Sequence, residues 1–172
     1  MGGLICFAYG SNMSCARLQA RLPCARRLGL ARLPDRELRF HKRGADGSAK
    51  LDAIPTTPAS ACVLGVLYAL DAADGARLDT IEGPGYRREA VRVVTPDGNW
   101  IDAFMYRAVD IDPALQPYHW YVHHVLVGAR EAGLPAEYTA AIEATRSIDD
   151  PDPARARREM AIHAPGRGAV AD

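Results

Sequence analysis

The sequence predicts an α+β fold: a small mixed β-barrel or strongly curved sheet flanked by helices. Two observations carry this expectation. Strand-like runs separated by turn residues fill the middle of the chain, and a helical pair follows after Pro117. Strands that dominate first and helices that follow argue against the regular alternation of a doubly wound parallel sheet. At 172 residues, 48% hydrophobic and 24% charged, the chain is expected to form one ordinary domain, residues 1–147, with 148–172 as a tail that is partly helical or flexible.

The elements follow in order. Leu4–Tyr9 is a short apolar run ended by Gly10-Ser11-Asn12, a buried strand entering a turn. Ser14 suits the cap of a helix through about Leu22, with Leu18 and Leu22 on one face. Between Ala25 and Arg43, apolar residues mostly two apart predict strands interrupted at Pro34-Asp35. Gly44–Ser48 reads as a loop. Leu51–Thr57 and Cys62–Leu70 read as strands joined by the turn 57–60, the second apolar throughout and therefore central. Asp71 suits an N-cap for a helix over 72–81, which Gly83-Pro84-Gly85 stops. Tyr86–Thr95 and Trp100–Arg107 flank Pro96-Asp97-Gly98-Asn99 as a hairpin. Tyr118–Ala132 and a segment from Pro135 to about Thr145 read as helices. Asp149–Pro153 reads as a linker, followed by a short basic helix through Met160 and a frayed end from Pro165.

Composition narrows the function. Twenty-one basic residues balance twenty-one acidic ones, so no global field draws the chain to nucleic acid or anionic lipid. No apolar run approaches the roughly 18 residues that cross a bilayer. The N-terminus lacks the basic and apolar regions of a secretory signal, so a soluble, cytoplasmic protein is expected. Cys6, Cys15, Cys24 and Cys62 have no C-x-x-C spacing and read as reduced packing residues. Nineteen arginines against two lysines read as a coding bias.

Two places could carry chemistry, and the second of them breaks a local stability rule. At Tyr9-Gly10-Ser11-Asn12, a strand-to-helix turn frees successive backbone N–H groups to face an anion or oxyanion, although many such turns hold these residues for conformation alone. Glu82 stands at a helix C-terminus, where the helix dipole opposes a carboxylate; desolvated there, such a group is suited to proton transfer, whereas solvated it is an ordinary surface glutamate. Weaker candidates are His119 and His123, four apart on a helix but without a third ligand, so no metal is expected. Arg17–Lys50 carries ten basic residues against three acidic ones, read as a solvated face rather than a nucleic-acid site. Lys50 and Asp52 follow a loop that could bring them to the same cleft, and Tyr118, Trp120 and Tyr121 read as core or pocket wall.

Phe7-Ala8-Tyr9-Gly10-Ser11-Asn12 and, some seventy residues on, Leu78-Asp79-x-x-Glu82-Gly83-x-Gly85-Tyr86 together resemble the γ-glutamylcyclotransferase family. Gly65-Val66-Leu67-Tyr68 resembles its central strand, and Val127–Tyr138 its late helix and turn. The resemblance spans about residues 4–145. It implies a compact mixed barrel whose loop Tyr9, Gly10, Ser11 and Asn12 binds a γ-glutamyl group and whose Glu82 is the acid/base. Tyr121, six residues before Val127, resembles a substrate-contacting tyrosine of some relatives. The connection from Glu82 to Tyr86 is shorter than in the vertebrate-like pattern. The implied reaction closes a γ-glutamyl amine or amino acid to 5-oxoproline with release of the amine, without metal or cofactor. The implied partner is a small γ-glutamyl substrate, bound by a monomer or homodimer with no role for nucleic acid or membrane. Removal or transfer of a γ-glutamyl protecting group, or a binding module without catalysis, remain alternatives on the same scaffold.

Overall fold

A computed structural model describes residues 3–57 and 61–164. The turn expected at 57–60 and the end expected from Pro165 lie mostly or wholly outside the described residues.

Five strands close a barrel in the order β1 (Leu4–Ala8), β5 (Cys62–Leu70), β2 (Arg26–Pro34), β6 (Tyr86–Val94) and β7 (Trp100–Ala108). The pairings are antiparallel except β1 with β7, which meet in parallel at Cys6 and Phe104. β5 is central, between β1 and β2, as its unbroken apolar run requires. Two seams of the barrel rest on a single pair each: β1 with β7, and β2 with β6 through Arg32 and Val94. A separate ribbon, β3 (Arg36–Arg43) and β4 (Ala49–Pro55), branches from β2 through Asp35, whose φ of 56° makes the tight reversal. β4 packs on the barrel through Asp52, fully buried, which accepts from Ala108 N and from Arg107 and His41.

The helices lie outside the barrel. Ser14 caps α1 (Cys15–Arg21), accepting from Arg17 N, and Asp71 caps α2 (Ala72–Glu82), accepting from Asp74 N at 2.7 Å. α3 (His119–Glu131) packs across the Ser11–Met13 turn, and Gly128 permits the approach: a Cβ there would stand 2.4 Å from Ser14 N. α4 (Ala136–Glu143) anchors through Tyr138, whose hydroxyl takes Leu64 N–H at 3.0 Å. Val63, Val66, Tyr68, Met105 and Val125 are among the side chains that fill the interior. Among the described residues no helix is long and apolar enough to cross a membrane.

The stretch expected to be a linker is instead anchored. Ile148 bridges in parallel to Tyr118, and the buried Asp150 carboxylate accepts from Trp120 Nε1 at 2.7 Å and from Arg155. α5 (Pro153–Met160), capped by Asp152, then lies against α3, bringing Glu159 to Arg17 and His124. Of the four cysteines only Cys6 is buried, and Cys24 is exposed, which corrects the expectation of packing residues for that side chain.

Candidate functional site

The chain leaves β1 and passes at once into one turn of 3-10 helix, Ser11–Met13. Met13 and Ser14 N–H groups close back on Gly10 and Ser11, but those of Gly10, Ser11 and Asn12 have no acceptor among the described residues. These three donors border a cleft whose other walls include Glu82, Tyr86, Tyr106, Tyr121 and Leu51. Gly10 has φ −116°, so the turn does not need a left-handed residue; a Cβ would instead stand 3.5 Å from the Tyr121 hydroxyl, in the cleft.

Glu82 is the last residue of α2, and Gly83, at φ 68° and ψ −175°, turns the chain away immediately behind it. That conformation is essentially reserved for glycine, and it lets the helix end on a carboxylate that faces the loop from the first strand. Asn12 Nδ2 donates to Glu82 Oε1 at 2.8 Å. Arg21 Nη1 donates to Asn12 Oδ1 at 2.9 Å and stands 3.4 Å from the same carboxylate oxygen. The Glu82 side chain is 14% exposed, so these partners act where water competes little. Its second oxygen has no hydrogen bond among the described residues, leaving a lone-pair face for a substrate proton.

Four tyrosines line the cleft, Tyr106 with its hydroxyl donated to Asp79 at 2.7 Å; the other three are bonded to main-chain groups of β4 and β7. Tyr9 donates to Tyr106 O, Tyr86 donates to Leu51 O at 2.5 Å, and Tyr121 accepts from Leu51 N at 3.1 Å while keeping its own proton. Burial keeps Tyr9, Tyr86 and Tyr121 protonated: it pushes Tyr9 and Tyr86 well above the ordinary phenol range and Tyr121 up to about 12. They are therefore neutral donors and shape, not bases. Burial likewise pushes the Cys6 thiol at the floor up to about 12, which removes it as a nucleophile near neutral pH.

The structure thus brings together Tyr9, Gly10, Ser11, Asn12, Glu82 and Tyr121, which are 112 positions apart at their extremes, through barrel closure and the α3 packing. Lys50 and Trp120 border an adjoining outer cleft that shares Ser11, Glu82, Tyr86 and Tyr121 with the inner one. Asp52 does not reach either cleft; it is spent on the β4–β7 contact. Tyr118 donates to Asp46 O at 3.0 Å. His119 faces Ser147 and Asp149, whereas His123 lies against His163, so the two do not converge. The basic excess of 17–50 is largely matched by carboxylates, including Glu159, Glu82, Glu89, Asp112 and Asp46. Sequence reasoning missed Arg21 and Lys42 as members of the site. Arg21 lies four residues after Arg17 on α1, on the helix face toward the loop, which is the signal that could have found it.

A family model described as the AIG2-like family matches residues 62–142. The chain is 31% identical over 150 residues to the human γ-glutamylcyclotransferase, covering 83% of this chain and 79% of the relative. It is 32% identical over 139 residues to the bovine γ-glutamylcyclotransferase, covering 77% and 73%. A solved structure described as a γ-glutamyl cyclotransferase superposes with a TM-score of 0.79 at 27% identity, over 86% of this chain and 90% of that one.

Proposed function

The chain belongs to the γ-glutamylcyclotransferase family, and from that premise we propose that it converts a small γ-glutamyl amide to 5-oxoproline and the free amine, with Glu82 as general acid and base. The observation that carries this reading is the 2.8 Å bond from Asn12 to Glu82, which joins the loop of free N–H donors to the carboxylate at the mouth of one cleft.

The chemistry needs little else. The substrate's α-ammonium gives a proton to the Glu82 carboxylate, and the resulting amine attacks the γ-carbonyl carbon of the same molecule. A carbon–nitrogen bond forms, closing a five-membered ring, and the carbonyl oxygen becomes an oxyanion. The N–H groups of Gly10, Ser11 and Asn12 are the donors available to hold that oxyanion or the substrate's α-carboxylate. As the oxyanion collapses, the original amide bond breaks and Glu82 returns its proton to the departing nitrogen; the ring nitrogen then gives up its remaining extra proton, which Glu82 passes on so that the amine leaves as an ammonium ion. The carboxylate is restored, and atoms and charge balance without a cofactor. The cleft's task is to hold a flexible chain in its folded, reactive conformer, and the walls of Tyr9, Tyr86 and Tyr121 supply shape for that.

Glu82→Gln tests the reading. The amide is nearly isosteric and can still accept from Asn12, but it cannot take the ammonium proton. We expect kcat for 5-oxoproline release to fall about 100-fold or more with little change in KM. Turnover at the wild-type rate would end the assignment. A wild-type protein that binds 5-oxoproline yet releases none from any γ-glutamyl compound would favour a binding module instead.

A further inference from the structure

β2 is well paired on one side only. From Arg26 to Pro34 it follows β5, with a bulge between Arg27 and Gly29, whereas toward β6 it shares just the pair Arg32 and Val94. Among the described residues, the stretch Arg26–Ala31 therefore presents its second edge to no strand. Such an edge holds backbone N–H and C=O groups in the arrangement that another extended chain can pair with. Gly29 lies on this stretch at φ 152°, and a Cβ there would meet nothing within 4 Å, so the space beside the strand is open. Leu28, next to it, is 41% exposed.

A cleft of about 720 Å³ runs between this edge and the turn of the β6–β7 hairpin. Ile5, Leu28, Leu30, Leu67 and Ile101 line it, an apolar bed for the alternate side chains of an added strand. It lies at the end of the barrel away from Glu82: β6 starts at Tyr86, in the inner cleft, and reaches this turn only after about 26 Å of strand. Arg26, Arg27 and Arg32 stand exposed along the same stretch of β2. The ion pairs among the described residues are made by other arginines, such as Arg36 with Glu89 and Arg92 with Asp102, and leave these three without a carboxylate.

The geometry points to β2 as a docking edge for an extended acidic segment of a partner protein, which adds to the sheet as a further strand. Backbone pairing fixes the register, the apolar bed takes alternate side chains, and the three unmatched arginines select carboxylates. Charge decides against a second copy as the occupant, because two β2 edges brought together would set arginines against arginines. Charge and a bulge also keep bare edges from pairing at random, but an edge built only for that needs no apolar bed beside it. The bed likewise gives nothing to a nucleic acid, whose affinity rests on phosphate charge.

The probe is an octapeptide of alternating glutamate and valine, blocked at both ends. Its controls are the same peptide N-methylated at alternate residues, which keeps the charge but cannot pair as a strand, and the counterpart with lysine for glutamate. The full-length protein is expected to bind the acidic peptide with a dissociation constant on the order of 100 µM, and the N-methylated one about tenfold more weakly or worse. Amide hydrogen exchange of Arg26–Ala31 is expected to slow about tenfold in the complex. Arg27→Glu combined with Arg32→Glu is expected to weaken the acidic peptide about tenfold or more and to bind the lysine peptide instead, a gain that misfolding cannot produce. The proposal is overturned by absence of binding, by equal affinity for the N-methylated peptide, by protection that lies away from β2, or by a double variant that binds both peptides as wild type does. Tighter binding of oligouridylate would make the arginines a nucleic-acid surface, and a dimer in analytical ultracentrifugation that the double variant abolishes would make the edge an interface between copies; either result overturns it too.

Discussion

Asn12 donates to Glu82 with its amide nitrogen and accepts from Arg21 with its oxygen, so one side chain sets the position of both charges. Asn12→Ala should leave Arg21 free to close directly on Glu82, locking the carboxylate in an ion pair. Steady-state kinetics should then show kcat down about tenfold or more with a smaller change in KM, the pattern of a lost positioning contact. Gly10 separates fold from function at the same loop. Its φ is negative, and a Cβ meets Tyr121 and Leu51 at ordinary contact distances, 3.5 and 3.6 Å. Gly10→Ala should therefore melt within a few degrees of wild type while KM rises about tenfold, because the methyl group occupies substrate space. Equal kinetics in a folded Gly10→Ala protein would mean that substrate does not approach this backbone. At this scale the sequence was legible where residues act locally: Glu82 announces itself by breaking a helix-end preference, whereas the Tyr9–Asn12 turn, ordinary as turn chemistry, stood out through its resemblance to a family motif. Arg21 and Lys42 were not legible as site members, because each is an ordinary surface-type cation until distant elements enclose it.

At the scale of elements, the position of Glu82 depends on how α2 ends. Gly83 lies in a backbone region that other residues avoid, and a Cβ there would meet nothing within 4 Å. Gly83→Ala thus has no steric clash, and its cost, about 1–3 kcal/mol, is conformational. The melting temperature should fall by several degrees, and kcat should fall with it because relief of the strain moves the adjacent Glu82. Gly98→Ala is the control: Gly98, φ 85°, turns the β6–β7 hairpin away from the cleft and also has no Cβ neighbour within 4 Å. It should lower the melting temperature comparably and leave kcat alone; equal kinetic effects from both would remove the special link between Gly83 and the site. The caps Ser14 and Asp71, the hairpin and the central β5 were readable because each is written in neighbouring residues. Asp149–Pro153 was misread as a linker because proline and aspartate usually mean a loop. The partners that hold it, Trp120 and Tyr118, lie about thirty residues away in sequence.

Across the whole molecule, α5 fastens the C-terminal segment to α1 and α3 through one buried cluster. His124, with no exposed surface, has Nε2 2.9 Å from both Arg17 and Glu159 and Nδ1 2.6 Å from His163. Burial pulls the His124 pKa from 6.5 to about 4, with the Arg17 charge acting in the same direction, and His163 is lowered as well. The hydrogen bond shared with His124, together with Arg17, holds Glu159 down from 4.5 to about 2. Both groups bind protons more readily in the unfolded chain than in the folded one, so both make stability fall as pH falls. The His124 contribution is complete above about pH 6.5 and is lost toward pH 4, and that of Glu159 is lost from about pH 4.5 toward pH 2. Thermal melting of wild-type protein should therefore drop steadily between pH 7 and pH 4.5, by an amount on the order of 1–3 kcal/mol of stability from His124. His124→Gln keeps polar reach but removes the titration, and its melting temperature should decline less steeply over that interval, whatever its value at pH 7. A slope equal to wild type would mean that the cluster does not carry the acid sensitivity, and the fastening of α5 would then have to rest on the Asp150 contacts to Trp120 and Arg155.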